Sequence, residues 1–336
     1  MPVFDELVLS LERLNQVLAF DGMSGVVSVQ AGCILEKVDE HVRSQGHIMP
    51  LDLGSKGSCH VGGCIATNAG GLRLLRYGSL HGNVLGLQVV LADGTLLDGL
   101  GACRKDNTGY DYKQLFIGSE GTLGVITAAS LLTPAKPASV NVALLVTPTY
   151  HDIIKIFLKA KRDLGEILSA FEFWDYGAQR LLDLHFPANR FPLELGTGFP
   201  VLIETSGSNA DHDSAKLMTF LEDVQGEALI TDGTIAQDET QLQKVWALRE
   251  GIPEACSKEG LVFKYDVSLS SPNQMYDPVW ALKERLASIP AVKSVIGYGH
   301  FGDGNIHINI AMEAPNLEAM VLIEPFIYDF IRTRRG

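Results

Sequence analysis

The densest chemistry in the sequence lies in GHFGDGNIHINI, residues 299–310. Two imidazoles, His300 and His307, flank Asp303-Gly304, a pair favoured in the type I′ turn of a two-residue hairpin. With those two residues as the whole loop, Gly302 faces Asn305, Phe301 faces Ile306 and His300 faces His307. Directly opposed side chains have Cβ atoms about 4.5–5.5 Å apart. Both rings would then project from one face, close enough to chelate one ion, and Asn309 would share that face. Imidazole suits zinc and its transition-metal neighbours. Two histidines make an incomplete site, and a hydrogen-bonded pair on a sheet is the commoner outcome for two histidines taken alone. The register favours the ion.

Two cations could hold carboxylates. Residues 239–252 read as a helix with Leu242, Val245, Trp246 and Arg249 along one stripe. An arginine on an apolar stripe needs a partner, because an unpaired buried charge is expensive. A carboxylate accepting two parallel hydrogen bonds is the natural one. Snorkelling at the helix edge or a structural salt bridge is the ordinary alternative. In LVFKYDVSL, alternation places Leu261, Phe263, Tyr265, Val267 and Leu269 on one face. Val262, Lys264, Asp266 and Ser268 fall on the other, where Lys264 could bind a ligand or merely neighbour Asp266.

A third candidate is PLDLGSKGSCHVGGCIATNAGG, residues 50–71. Glycine admits positive φ and lets a ligand approach the backbone, and clustered N–H groups suit a phosphate or a flavin ring. No GxGxxG follows a strand here and no GxxxxGK[ST] occurs, so a Rossmann or P-loop site is not expected. A tight-turn region without a ligand is the alternative, since glycine content alone does not separate the two.

The elements that must position these groups fall into two parts. In the first, residues 26–31, 85–92 and 95–100 read as strands and 34–44 as a short helix. Asp93-Gly94 is a second two-residue hairpin signal. TPAKPAS, with Pro134 and Pro137, marks a junction. Beyond it, 140–146, 201–205, 260–269 and 292–298 read as strands. Helices begin near Asp152, with Ile153, Ile154, Phe157, Leu158 and Leu164 on the apolar side, and near Asp213, with Leu217, Phe220, Leu221 and Val224. Strands and helices without strict alternation predict an α+β second domain.

The chain has 336 residues, 46% of them apolar, which allows a large core and two domains. Its formal charge of -13 disfavours nucleic acid and anionic membranes as partners. Five cysteines without CxxC spacing predict a reducing compartment. No apolar run is long enough to span a bilayer. The opening MPVFDELVLS has no basic n-region and no Arg-rich amphipathic pattern.

The glycine run, LRYGSLHGNVLGLQVVLADGT (75–95) and LFIGSEGTLGVIT (115–127) together resemble flavin-dependent D-2-hydroxyacid dehydrogenases, D-2-hydroxyglutarate dehydrogenase among them. The resemblance runs along nearly the whole chain. It implies a PCMH-type (vanillyl-alcohol-oxidase-type) FAD-binding domain over 1–135. An α+β FAD-linked oxidase C-terminal substrate domain with an antiparallel sheet follows over 136–336. By position, Pro50, Leu51, Gly54, Gly62, Gly63, Thr67, Asn68, Gly70, Tyr77, Gly78, Glu120, Gly121, Gly124 and Ile126 would line FAD.

His300 and His307 would hold a divalent metal, zinc being the expectation, while Arg249, Lys264 and Asn309 would contact substrate. A family threonine falls on Pro253, which has no hydroxyl. A phosphate loop before the stretch matching Pro2–Leu9, and a later AEHG motif with the third metal ligand and the base, would lie outside the chain. The expectation is therefore a chain lacking pieces at both ends. The implied reaction oxidises a D-2-hydroxy acid, D-2-hydroxyglutarate first, and passes electrons to an electron-transfer flavoprotein or similar acceptor, in mitochondria. A non-catalytic truncated form and a D-lactate dehydrogenase are the other readings.

Overall fold

The structure is a computed structural model and describes residues 7–336. MPVFDE, on which part of the targeting expectation and of the Pro2–Leu9 match rests, lies outside those residues. The chain divides into two compact units, Met1–Lys136 and Pro137–Gly336.

The first unit holds β1 (Val17–Asp21), β2 (Val26–Gln30), β3 (Val84–Val90), β4 (Leu96–Gly99) and β5 (Val125–Leu132), in the order β1-β2-β5-β3-β4. All their pairings are antiparallel. Alternating apolar residues of β2, β3 and β5 bury one face against the helices Leu35–Arg43 and Val61–Ala66, through Val27, Val29, Val38, Ile65, Leu87 and Leu131.

The second unit holds β6 (Ser139–Thr147), β7 (Leu168–Trp174), β8 (Phe199–Gly207), β9 (Asp232–Ile235), β10 (Leu261–Ser268), β11 (Val292–His300) and β12 (Asn305–Met312). They form one antiparallel sheet in the order β10-β12-β11-β7-β8-β6-β9. The helices Tyr176–His185 and Glu239–Ser257 pack on the face bearing Trp174, Leu202, Ile296, Tyr298 and Ala311. The opposite face carries an aromatic cluster in which Phe157, Phe171, Phe173 and Phe301 meet at ring-centroid distances of 5.0–5.7 Å.

Several expectations are corrected. The helix beginning at Glu239 runs to Ser257, not Ile252, and contains Pro253. Pro253 cannot donate to the Arg249 carbonyl, a loss of about 3 kcal/mol in an ordinary helix. Ile252, Ala255 and Cys256, each 0% exposed, continue the buried stripe through it. Leu158, placed on an apolar side, is exposed, and Ile156 takes the core position instead. Strands β1, β5, β7 and β9 have no counterpart in the sequence reading.

Both Asp-Gly hairpins have longer loops than two residues. Val90 pairs with Leu96 and Leu91 N–H donates to Thr95 C=O, which leaves Ala92, Asp93 and Gly94 as the loop. His300 pairs with Asn305, not His307, which leaves four residues, 301–304. A type I′ turn needs positive φ at both central residues, and here only Gly94 (86°) and Gly304 (78°) adopt it. Each aspartate instead accepts the N–H two residues on, Thr95 and Asn305, at 2.9 Å.

Candidate functional site

The revised hairpin register changes the distance between the histidines but not the face they share. Strand β12 lies between β10 and β11, so residues opposed across it share a face. Its rows there are Ser268–Asn305–His300, Asp266–His307–Tyr298 and Lys264–Asn309–Ile296. His300 and His307 are thus diagonal neighbours, with ring centroids 5.2 Å apart. The physical cause of the shift is Phe301. It is 1% exposed in the aromatic cluster, and its N–H donates to Phe171 C=O, so it leaves the ladder with β12.

The two imidazoles meet through Nε2, 3.4 Å apart. Their other nitrogens face carboxylates. His300 Nδ1 lies 2.9 Å from Glu172 Oε1 and 2.8 Å from Oε2. His307 Nδ1 lies 3.6 Å from Asp266 Oδ1. Glu172 comes from β7, where it pairs directly with His300, and it is 2% exposed. Burial alone would raise its carboxyl, but His300 and Arg249 together hold it below the usual carboxylate range. Burial, with Arg249 adding to it, pushes the His307 imidazolium down to about 4. His307 is therefore neutral near pH 7, the form that binds metals.

The helix Glu239–Ser257, capped at its start by Asp238 accepting from Gln241 N–H, lowers Arg249 onto this face. Arg249 Nε donates to Glu172 Oε2 at 3.0 Å. Its Nη2 is also 3.0 Å from that oxygen but is not directed at it, and is buried without a hydrogen-bond partner. The guanidinium stacks 4.8 Å from the Tyr298 ring centroid. The expected salt-bridge alternative is thus realised through Glu172, with donor capacity left over. Asn309 is buried and donates to the Tyr298 hydroxyl at 3.2 Å. Lys264 is exposed in the row beside it.

Among the described residues, no three His, Cys, Asp or Glu side chains converge on a metal position. The pair still suits an ion. Two nitrogens each about 2.0–2.1 Å from one tetrahedral zinc would stand about 3.3 Å apart, close to the observed separation.

Sequence reading missed Glu172. Its signal is a lone carboxylate in LSAFEFW, a seven-residue strand buried throughout, because a charge in such a run must have a partner.

In the first unit the glycine segment wraps the helix Val61–Ala66. Gly62 N–H donates to Ala31 C=O, Gly118 N–H to Ile65 C=O and Glu120 N–H to Ala66 C=O. These bonds gather Gly62, Gly63, Thr67, Asn68, Glu120 and Gly121. Arg73 ties the segment down, pairing with Asp39 at 3.3 Å and Asp52 at 3.0 Å.

Eight of the fourteen residues expected to line FAD divide into two sets. Leu51 and Ile126 are buried in the apolar core, and Gly62 and Gly124 have no room for a Cβ, which would meet protein atoms at 2.5 and 2.8 Å. Gly54, Gly63, Gly78 and Gly121 border open space, the last two at positive φ. Asn68, at φ 47°, has a buried Oδ1 without a hydrogen-bond partner. An unmet acceptor beside open glycine backbone fits a flat polar cofactor such as a flavin nucleotide.

A family described as FAD binding domain matches residues 1–99, and one described as FAD linked oxidases, C-terminal domain, matches residues 136–335. The chain is 54% identical to the mitochondrial D-2-hydroxyglutarate dehydrogenase of Bos taurus over 339 residues, covering 100% of this chain and 61% of that protein. It is 46% identical to a D-2-hydroxyglutarate–pyruvate transhydrogenase of Saccharomyces cerevisiae, covering 100% of this chain and 69% of the relative.

Among solved structures, an alkyldihydroxyacetonephosphate synthase matches with a TM-score of 0.73 at 18% identity, over 97% of this chain and 62% of that one. p-Cresol methylhydroxylase matches at 0.70 and 13%, over 96% and 68%. These two likenesses concern the fold alone. The chain spans 61–62% of the length of its mammalian relatives. With whole-chain identity of this order and a family match over most of the second unit and beyond its start, the chain belongs to the FAD-linked oxidases.

Proposed function

We propose that this chain serves the FAD-dependent oxidation of a D-2-hydroxy acid, D-2-hydroxyglutarate to 2-oxoglutarate, with a divalent ion, zinc, at His300 and His307. Residues 1–135 would bind FAD and residues 136–336 would bind substrate. The observation that carries the reading is the convergence, on one sheet face, of two imidazole nitrogens 3.4 Å apart and a buried arginine with an unused donor.

FAD, when bound, would accept the two electrons, and the ion would supply Lewis acidity toward the substrate hydroxyl. Arg249 would hold the carboxylate adjacent to the reacting carbon through its free Nη2 donors. Lys264, exposed one row along the strand, would take the distal carboxylate that distinguishes a five-carbon diacid from lactate. Asn309 would add a polar contact next to Tyr298. Gly54, Gly63, Gly78 and Gly121 leave the room a cofactor needs, and Asn68 Oδ1 would accept from it. Electrons would leave to an electron-transfer flavoprotein or similar acceptor. The mitochondrial names of the relatives support a mitochondrial setting.

The test is reconstitution with FAD and zinc, followed by an absorbance spectrum, metal analysis and titration with D-2-hydroxyglutarate and D-lactate. The reading requires a flavin spectrum, stoichiometric zinc, binding of both acids that Arg249→Met weakens, and a preference for D-2-hydroxyglutarate that Lys264→Met removes. Zinc uptake unchanged in His300→Ala would leave the histidines as a hydrogen-bonded pair and remove the metal from the proposal. Equal affinity for both acids would remove the assignment of Lys264.

A further inference from the structure

We infer that Glu172 is the positioning residue of this site, one buried carboxylate that sets both the His300 ring and the Arg249 guanidinium; the inference rests on the proposed metal and carboxylate roles of those two residues. His300 Nδ1 is within 2.8–2.9 Å of both Glu172 oxygens, and Arg249 Nε is 3.0 Å from Oε2. The three side chains come from β11, β7 and the helix Glu239–Ser257, and Glu172 stands between the other two.

The chemistry follows from proton count. An ionised carboxylate only accepts hydrogen bonds. A neutral His300 beside it therefore carries its proton on Nδ1, which leaves the Nε2 lone pair bare and aimed at His307 Nε2, 3.4 Å away. A ligating histidine whose second nitrogen donates to a carboxylate is held in one tautomer and one ring orientation, and is made more basic toward the ion. Glu172 touches Nδ1, the side away from His307, so it acts through His300 and is not itself a ligand.

The same oxygen pulls Nε of Arg249 inward and leaves Nη2 undirected and unused. The hydroxyl and carboxylate of a 2-hydroxy acid sit on adjacent carbons. Their binding groups must keep a fixed spacing, and a single rigid carboxylate bonded to both supplies it.

The test uses Glu172→Gln and Glu172→Asp in the full chain. Nitrogen-15 shifts of His300 in metal-free protein report its tautomer directly. The wild type should show Nδ1–H with Nε2 unprotonated. Glu172→Gln, whose amide can donate as well as accept, should show a mixture or the Nε2–H form, and Glu172→Asp should retain Nδ1–H. The same His300 tautomer in wild type and Glu172→Gln would overturn the inference.

Cobalt(II), titrated by its visible absorption, should bind roughly 10–100-fold more weakly to Glu172→Gln, with partial recovery in Glu172→Asp. Cobalt affinity unchanged in Glu172→Gln but lost in His307→Ala would also overturn it. Equal cobalt binding by wild type and His307→Ala would sink the metal reading instead, and the tautomer measurement would still decide the role of Glu172. If the glutamine variant does not fold, Glu172→Asp carries the test. Its carboxylate is one methylene shorter, so cobalt should bind more weakly than in the wild type, and full wild-type cobalt affinity would overturn positioning.

Discussion

The two candidate sites are built from different materials. In the first unit the site is backbone: open glycines, left-handed residues such as Asn68 and Gly78, and few titratable side chains. In the second unit it is side chains standing on an antiparallel sheet, with His300, His307, Glu172 and Arg249 locked by mutual contacts. A backbone site tolerates changes at residues facing outward and fails where the chain itself must pack closely. A side-chain site fails at single atoms, because each group is both a binding element and the support of its neighbour. The two regions should therefore break under different substitutions and report through different signals.

The sharpest separation comes from the histidines. His300→Ala or His307→Ala should abolish bound metal, a larger effect than the roughly 10–100-fold that an outer partner contributes. FAD uptake by the same variants, read from the flavin spectrum, should match the wild type. Loss of flavin in either variant would mean that the two regions are not independent. Gly62→Val is the converse. A Cβ there would lie 2.5 Å from the Ala31 Cβ, and overpacking of this kind costs about 1–3 kcal/mol. Lower thermal stability and weaker FAD binding, with cobalt affinity intact, are expected. An unchanged melting temperature would show that the helix Val61–Ala66 can shift without loss.

Acid should act on the second unit. The folded His307 value of about 4 lies below the unfolded value of 6.5. Between those values the unfolded chain binds a proton that the folded chain does not, so stability falls as pH drops through that window. The lowered Glu172 carboxyl works in the same direction, losing its contribution as pH falls through its folded value. The urea midpoint should decline from pH 6.5 toward 4, with a flatter slope in His307→Asn. A flat wild-type profile would remove the buried neutral imidazole from the account. The smallest effect is expected for Gly63→Ala, which borders open space. Stability should stay within about 0.5 kcal/mol, so any loss of FAD affinity would report the cofactor alone.

Legibility also differed between the regions. The glycine-rich segments were visible as such, but which glycines face protein and which face open space was not. That depends on where Ala31 and Val89 lie relative to Gly62 and Gly124. The Asp-Gly pairs marked both hairpins, yet neither loop has two residues, because each aspartate keeps negative φ and closes a turn through its side chain. The helix Glu239–Ser257 was read from its stripe but ended early at Pro253, where burial of the following turn outweighs the lost hydrogen bond.

What the sequence determined by itself was the common face of His300, His307 and Asn309. The revised pairing differs from the expected one by two residues, and an even slip in a strand keeps every side chain on its side. It also determined that Arg249 would lie in a buried stripe needing a partner. Only the tertiary structure decided who that partner is. Glu172 lies 128 residues from His300 in sequence and 77 from Arg249. The three meet because β7 and β11 are neighbours in the sheet and a helix crosses the face above them. Sheet order and helix docking arise from burying whole apolar surfaces, so no local pattern of residue types could name the contact.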